Sequence, residues 1–183
     1  MATWKELHTP ARPEELSGLT SGDRVSLSGV VYTARDVAHQ RLVARLEAGQ
    51  PLPFDLENQA LFYVGPSPTP PGKIIGSCGP TTSSRLDVYT PALLAKGLKI
   101  MIGKGPRSPQ VVAAIRRYQA AYLVATGGAA ALLAQCVKEA ALVAYPDLGP
   151  EAIYRLEVER MPLIVAVDPQ GRDLFAQDNP SNK

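Results

Sequence analysis

The chain has 183 residues, of which 45% are hydrophobic and 20% charged, and its net charge at pH 7 is +2. This composition suits one soluble domain, while a charge near zero without Lys and Arg interleaved with aromatic residues excludes a nucleic-acid groove. Cys78 and Cys136 form no CxxC pair, and with two scattered histidines they match no recognised metal-ligand spacing. We therefore expect a reduced, cytoplasmic chain that holds no metal by itself.

Residues 1–18 are expected to form an N-terminal arm rather than a targeting peptide, ahead of a single domain over residues 19–178 and a frayed tail at 179–183. Alternating apolar and β-branched residues predict a strand over 24–33, with Gly29 as a bulge. Helical spacing follows over 36–48 and stops at Gly49. The run 60–64 predicts a buried strand, and the proline-rich segment 65–72 predicts a surface loop.

A repeating pattern begins at residue 73, in which apolar strands over 74–77, 98–102 and 121–125 each end in a glycine turn and lead to a helix. Thr90 and Ser108 each precede a proline, which is typical of a helix N-cap. The alternation predicts an α/β fold with parallel βα units, and it places the three glycine turns at one sheet edge, where ligands gather.

The remaining segments complete this sheet. Residues 118–137 carry no charge, but their glycines and glutamines favour a buried strand, a turn and a helix over a membrane span. Further strands are predicted over 141–144, 152–158 and 162–167, with a tight turn at 168–171.

The turn Gly-Pro-Thr-Thr-Ser-Ser-Arg over residues 79–85 indicates an anion site, because it presents backbone N–H groups, four hydroxyls and the planar fork of Arg85. Between Glu57 and Glu139 the only acid is Asp87, against nine Lys and Arg residues. Lys104 lies between two glycines at the next strand end, although the Walker spacing of a nucleotide P-loop is absent. The alternative is a set of capping turns with solvated cations.

Arg35, Asp36 and His39 lie within one turn at a helix start, where simple helix polarity explains them unless Arg35 joins Arg85 and Lys104. No Ser-His-Asp arrangement and no carboxylate pair accompanies the basic segment. The chain thus has anion binders and hydroxyls without a strong base, which predicts half of a catalytic site.

Several blocks in this order resemble the beta subunit of class I iron–sulfur fumarate hydratase. They are Tyr-Thr-Ala-Arg-Asp-Val-Ala-His from residue 32, Gly-Pro-Thr-Thr-Ser-Ser-Arg-Leu-Asp from 79, Met-Ile-Gly-Lys-Gly from 101, Ala-Thr-Gly-Gly-Ala-Ala from 125, and the segments 147–154 and 161–168. The tartrate dehydratase beta subunit shares this framework, and the 147–154 block favours the fumarase branch. Ser84 and Leu86 depart from the Gly and Met of many relatives.

The resemblance implies a swivelling β/β/α domain with a mixed sheet, paired with an alpha subunit whose own cysteines hold a [4Fe–4S] cluster. It implies reversible hydration of fumarate to L-malate, no activity without the alpha subunit, and a homodimer or heterotetramer that binds a dicarboxylate but neither nucleic acid nor membrane. The matching substrate-binding positions are Arg35, Arg85, Lys104, Thr82 and Gly79, and Thr81 matches the proposed proton carrier. The alternatives are a tartrate dehydratase beta subunit, a free-standing anion-binding or regulatory domain, and a nucleotide-binding βα domain.

Overall fold

The computed structural model describes residues 3–125 and 128–177. The helices are α1 (Pro13–Ser17), α2 (Asp36–Glu47), α3 (Thr90–Ala95), α4 (Pro109–Tyr118), α5 (Ala130–Gln135) and α6 (Leu174–Gln177). The strands are β1 (Lys5–Thr9), β2 (Arg24–Thr33), β3 (Ala60–Phe62), β4 (Ile100–Gly103), β5 (Ala121–Val124), β6 (Val137–Ala144) and β7 (Ile153–Val167). Two 3₁₀ helices, Ser83–Leu86 and Pro146–Glu151, lie in the connections.

The strands form one mixed sheet in the order β1-β2-β3-β4-β5-β7-β6. Strands β1 to β5 are parallel neighbours, whereas β7 is antiparallel to β2, β5 and β6. Because β7 pairs with β5 on one side and with β2 on the other, it closes the sheet into a barrel. The expected α/β class, with a mixed sheet and parallel βα units, is confirmed.

Two apolar clusters hold the fold together. One fills the barrel with side chains such as Leu27, Phe62 and Ile102, and the other packs the helices against the outer face through residues such as Leu42 and Met101. Every residue of β3, β4 and β5 is buried, as expected for parallel strands covered on both faces. The C-terminal ends of β3 and β4 are therefore a rigid base for the loops that follow them.

Three segments differ from the sequence expectations. Residues expected to form an arm contain β1, which pairs with β2. The predicted strand over 74–77 is wrong: Ser77 exchanges hydrogen bonds with Ser67 of the proline-rich loop, whose prolines lack the N–H groups that a ladder needs. The predicted strands 152–158 and 162–167 are one continuous strand, β7.

Other local predictions are confirmed. The register of β2 shifts between Leu27 and Gly29, which is the expected bulge. Ser108 caps α4 by accepting a hydrogen bond from the Val111 N–H. Thr90, in contrast, is the first residue of α3 rather than its N-cap, because its hydroxyl bonds instead to the Leu86 carbonyl and to Arg107. Within residues 3–125 and 128–177, no helix combines the length and apolar character that crossing a bilayer requires.

Candidate anion-binding site

The hydroxyl-rich turn lies across the ends of β3 and β4. The Thr81 N–H donates to the Tyr63 carbonyl over 2.6 Å, just beyond the end of β3. Thr82 pairs in parallel with Lys104, the residue after β4. The first two predicted glycine turns are therefore neighbours at one sheet edge. The third, at 126–128, falls largely outside the described residues.

Ser83 connects the two turns. Its N–H donates to the Lys104 carbonyl over 3.0 Å, and its Oγ accepts from the Lys104 N–H over 3.1 Å. A Cβ placed on Gly103 would lie 1.9 Å from this Oγ, so a glycine is required for the approach. Sequence reasoning treated Ser83 only as one hydroxyl among four.

Arg35 and Arg85 meet at Asp36. Arg85 Nε donates to Asp36 Oδ1 over 3.0 Å, while Arg35 Nε lies 3.8 Å from Asp36 Oδ2 and Arg35 Nη1 lies 3.0 Å from Glu151 Oε1. Both guanidiniums thus lie beside the same carboxylate at the start of α2. Buried Arg35 Nε has no hydrogen-bond partner in the described ranges and retains a free donor.

The two site arginines are paired with acids from elsewhere in the sequence. Asp36 and Glu151 lie outside the acid-poor segment, yet they offset the two site arginines. Lys104 is exposed and forms no ion pair with any residue in the described part of the chain. It is the uncompensated cation of this edge.

Thr81, Thr82 and Gly79 line the same turn. Thr81 is half-buried, and its hydroxyl makes no hydrogen bond to the described residues, whereas Thr82 is exposed. A Cβ on Gly79 would meet only Ala130, at 3.7 Å, so the chain's own packing does not require a glycine there. The substrate roles of these three residues stay predictions.

Behind the turns lies a buried arginine, Arg107, which is one of the nine Lys and Arg residues of the acid-poor segment. The Arg107 side chain is fully buried; its Nε donates to Asp87 over 2.6 Å and its Nη2 to Thr90 over 2.7 Å. Its guanidinium carbon also lies 5.4 Å and 4.9 Å from the ring centroids of Tyr63 and Tyr122. Arg107 therefore supports the site from below rather than facing a ligand.

His39 is also buried, and it holds the backbone of Arg35. Its Nδ1 lies 2.8 Å from the Arg35 carbonyl, so this nitrogen carries the proton, and Nε2 has no partner among the described groups. Burial lowers the pKa of His39 to about 4, with a smaller contribution from the charge of Arg107. The imidazole is consequently neutral at pH 7.

Acid is expected to destabilise the fold through His39. Because its pKa is about 4 in the folded chain and about 6.5 in the unfolded one, the unfolded chain binds the extra proton between these values. Stability is therefore complete above about pH 6.5 and falls by about 3 kcal/mol towards pH 4. In urea unfolding at several pH values, the His39→Gln variant should lack this loss of unfolding free energy on acidification. His8→Gln, an exposed control, should keep it, and an unchanged pH dependence in His39→Gln contradicts the assignment.

The two cysteines are buried, free thiols. Burial raises the pKa of the Cys78 thiol to about 11 and also raises that of Cys136, so both are protonated at pH 7. Within the described ranges, no group of three or more His, Cys, Asp or Glu side chains is placed to hold a metal ion. The residues present do not fit an iron–sulfur cluster bound by this chain.

The geometry defines an α/β domain in which the hydroxyl-rich turn and the exposed Lys104 lie together at the end of parallel strands. The family model described as Fumarase C-terminus matches residues 4–178, and the chain belongs to this family.

The relatives are of two lengths. The chain is 42% identical over 165 residues to "Fumarate hydratase class I, aerobic" of Escherichia coli K12, which covers 89% of this chain but 30% of that protein. It is 42% identical over 166 residues to "Fumarate hydratase 1, mitochondrial" of Leishmania major, again covering 30% of that protein. It is 34% identical over 179 residues to "L(+)-tartrate dehydratase subunit beta" of E. coli K12, covering 95% of this chain and 88% of the relative. The chain thus spans about a third of the fumarate hydratases and most of a beta subunit.

Proposed function

We propose that this chain is the beta subunit of an iron–sulfur hydro-lyase that reversibly hydrates fumarate to L-malate. The relatives named as hydratases and dehydratases support a hydro-lyase, and the 88% coverage of a beta subunit supports a separate alpha subunit. The observation that carries the proposal is the pairing of the Thr81–Thr82 turn with Lys104, beside the two arginines that meet at Asp36.

The two subunits are proposed to have different roles in the reaction. Because both thiols are buried, and no group of three or more His, Cys, Asp or Glu side chains in the described ranges is placed to hold a metal ion, the [4Fe–4S] cluster and its Lewis-acid chemistry are assigned to the alpha subunit. This chain then binds one substrate carboxylate and handles one proton. The open edge of the site is where the alpha subunit is expected to face it.

Lys104, Arg85 and Arg35 are proposed to hold the carboxylate. When a proton leaves the carbon next to this carboxylate, negative charge spreads onto its oxygens, which these cations stabilise. Thr81 is proposed to carry the proton, and its hydroxyl is available because no described residue occupies it. A threonine hydroxyl is a weak base, so a carboxylate of the alpha subunit is the proposed acceptor beyond it.

Fumarate is preferred to tartrate because of the 147–154 block. This block resembles the fumarase branch, and it contacts the site through an ion pair between Glu151 and Arg35. Asp147 of the same block forms a bidentate ion pair with Arg41 of α2. Tartrate is the second candidate because the tartrate dehydratase subunit aligns over nearly its whole length.

The test is anaerobic reconstitution with the cognate cluster-bearing subunit. Fumarate and L(+)-tartrate are supplied separately, and loss of each is followed against the alpha subunit alone. Faster loss of fumarate than of tartrate is expected. No gain over the alpha subunit alone defeats the hydro-lyase proposal, and a gain with tartrate only assigns the tartrate branch. Thermal melts with ATP and NAD test the nucleotide alternative, for which no stabilisation is expected.

Arg85→Lys is expected to raise the KM for fumarate about tenfold, equivalent to about 1.4 kcal/mol of lost binding. Lysine keeps the charge but cannot offer two parallel donors to one carboxylate. Steady-state kinetics of the reconstituted pair measures the effect. Arg117→Lys, at an exposed position on α4, is the matched control and should leave KM unchanged. Equal KM values for Arg85→Lys and the unmodified chain remove Arg85 from the site.

A further inference from the structure

We infer that Ser83 is a positioning residue for Lys104: it fixes the main chain from which this exposed cation extends. The inference rests on the proposed function, because it assigns Lys104 a substrate carboxylate. It concerns a different residue, however, which touches no substrate in the proposal.

The contact between Ser83 and Lys104 is reciprocal. Ser83 donates its N–H to the carbonyl of Lys104 and accepts the Lys104 N–H on its Oγ, over 3.0 and 3.1 Å. Both main-chain polar groups of Lys104 are thereby held by one residue. Ser83 itself is completely buried, so water does not replace these bonds easily.

A second layer fixes Ser83. The Tyr122 hydroxyl lies 2.7 Å from Ser83 Oγ and 2.9 Å from the carbonyl oxygen of Gly105. Burial raises the pKa of Tyr122, so its phenol stays protonated, and the Arg107 guanidinium packs on its ring. Both neighbours of Lys104 are thus anchored. Gly103 is in close contact with Ser83, and the Gly105 carbonyl is bonded to the Tyr122 hydroxyl.

This arrangement answers a problem that the glycines create. Flanking glycines free Lys104 from neighbouring side chains, but they also give its backbone the widest conformational choice. A lysine on a flexible main chain binds a carboxylate weakly, because ordering both the main chain and the side chain costs entropy on each binding event. Ser83 removes that freedom from the backbone and leaves the ammonium group exposed.

The decisive experiment is a double-mutant cycle in the reconstituted enzyme with Ser83→Ala and Lys104→Ala. Alone, Ser83→Ala is expected to lower kcat/KM about tenfold, mostly through KM. Added to Lys104→Ala, it is expected to change kcat/KM less than about twofold, because the side chain it positions is gone. Lys104→Ala keeps the backbone bonds, so Ser83→Ala should lower the melting temperature equally in both backgrounds.

The pattern of kinetic coupling without stability coupling distinguishes positioning from a general structural role. Equal losses of kcat/KM in both backgrounds, or no loss in either, overturn the inference. If Ser83→Ala does not fold, Tyr122→Phe is used in its place, since it removes the hydroxyl that anchors Ser83 and Gly105; the same non-additivity with Lys104→Ala is expected, and additivity again overturns the inference.

A measurement on the full chain alone separates this inference from the proposed function. Amide hydrogen exchange at Lys104 is expected to be at least tenfold faster in Ser83→Ala than in the unmodified chain, while exchange at Tyr122 in β5 changes less. Unchanged exchange at Lys104 overturns the inference even in an active enzyme. An inactive reconstituted pair with the expected exchange pattern defeats the proposed function and leaves the contact between Ser83 and Lys104 standing.

Discussion

Thr81→Val is expected to lower kcat at least 100-fold in the reconstituted enzyme while KM changes less than about threefold. Valine has nearly the shape of threonine, so the substitution removes the hydroxyl and little else. If Thr81 carries the proton, its contribution belongs to the transition state rather than to substrate binding, and the loss falls on kcat. The backbone bond from Thr81 to Tyr63 is retained in the variant, which keeps the turn in place.

Thr82→Val is the matched control for this prediction. It makes the same substitution one residue further on, at an exposed position proposed to bind substrate. A moderate rise in KM with a nearly constant kcat is expected there. Equal falls in kcat for both variants, or no fall for Thr81→Val, contradict the assignment of the proton to Thr81.

Arg107→Met is expected to lower the free energy of unfolding by about 3–5 kcal/mol. Methionine fills a similar volume, but it leaves Asp87 without its cation at a site where that carboxylate is mostly buried. Thr90 and Tyr63 lose hydrogen-bond partners as well. Chemical denaturation of the full chain measures the change.

Arg117→Met provides the comparison, since this arginine is exposed on α4 and its guanidinium packs on the Tyr118 ring. A change within about 0.5 kcal/mol is expected for it. A loss below about 1 kcal/mol for Arg107→Met contradicts the supporting role assigned to Arg107.

The predictable part of this protein is the part encoded by local patterns. Strand and helix periodicity located β2 and α2 closely, and the glycine turns identified the sheet edge with Lys104. The proximity of Thr82 to Lys104 was predicted from a strand over 74–77 that does not form. In the structure an irregular segment brings the turn to the ends of β3 and β4 instead.

The remainder depends on contacts between distant residues. Arg107 and Arg85 look alike in sequence, yet one is buried against Asp87 and the other is exposed beside Asp36. Nothing local separates them, because their partners are decided by how the helices pack. The predicted strand at 74–77 failed for a similar reason: Ile75 is buried but Ile74 is exposed, and the neighbouring chain is a proline-rich loop that cannot form a ladder.

The continuous strand β7 has a consequence for how the domain is synthesised. Its residues pair with both β2 and β5, so the barrel stays open until residues 153–167 have left the ribosome. Until then, β2 and β5 present unpaired edges that are prone to join other chains. Termination before residue 153 would leave those edges permanently exposed even though every proposed site residue had been made. Synthesis of β7, after β1 to β6, is therefore the step that pairs these edges and protects the domain from aggregation.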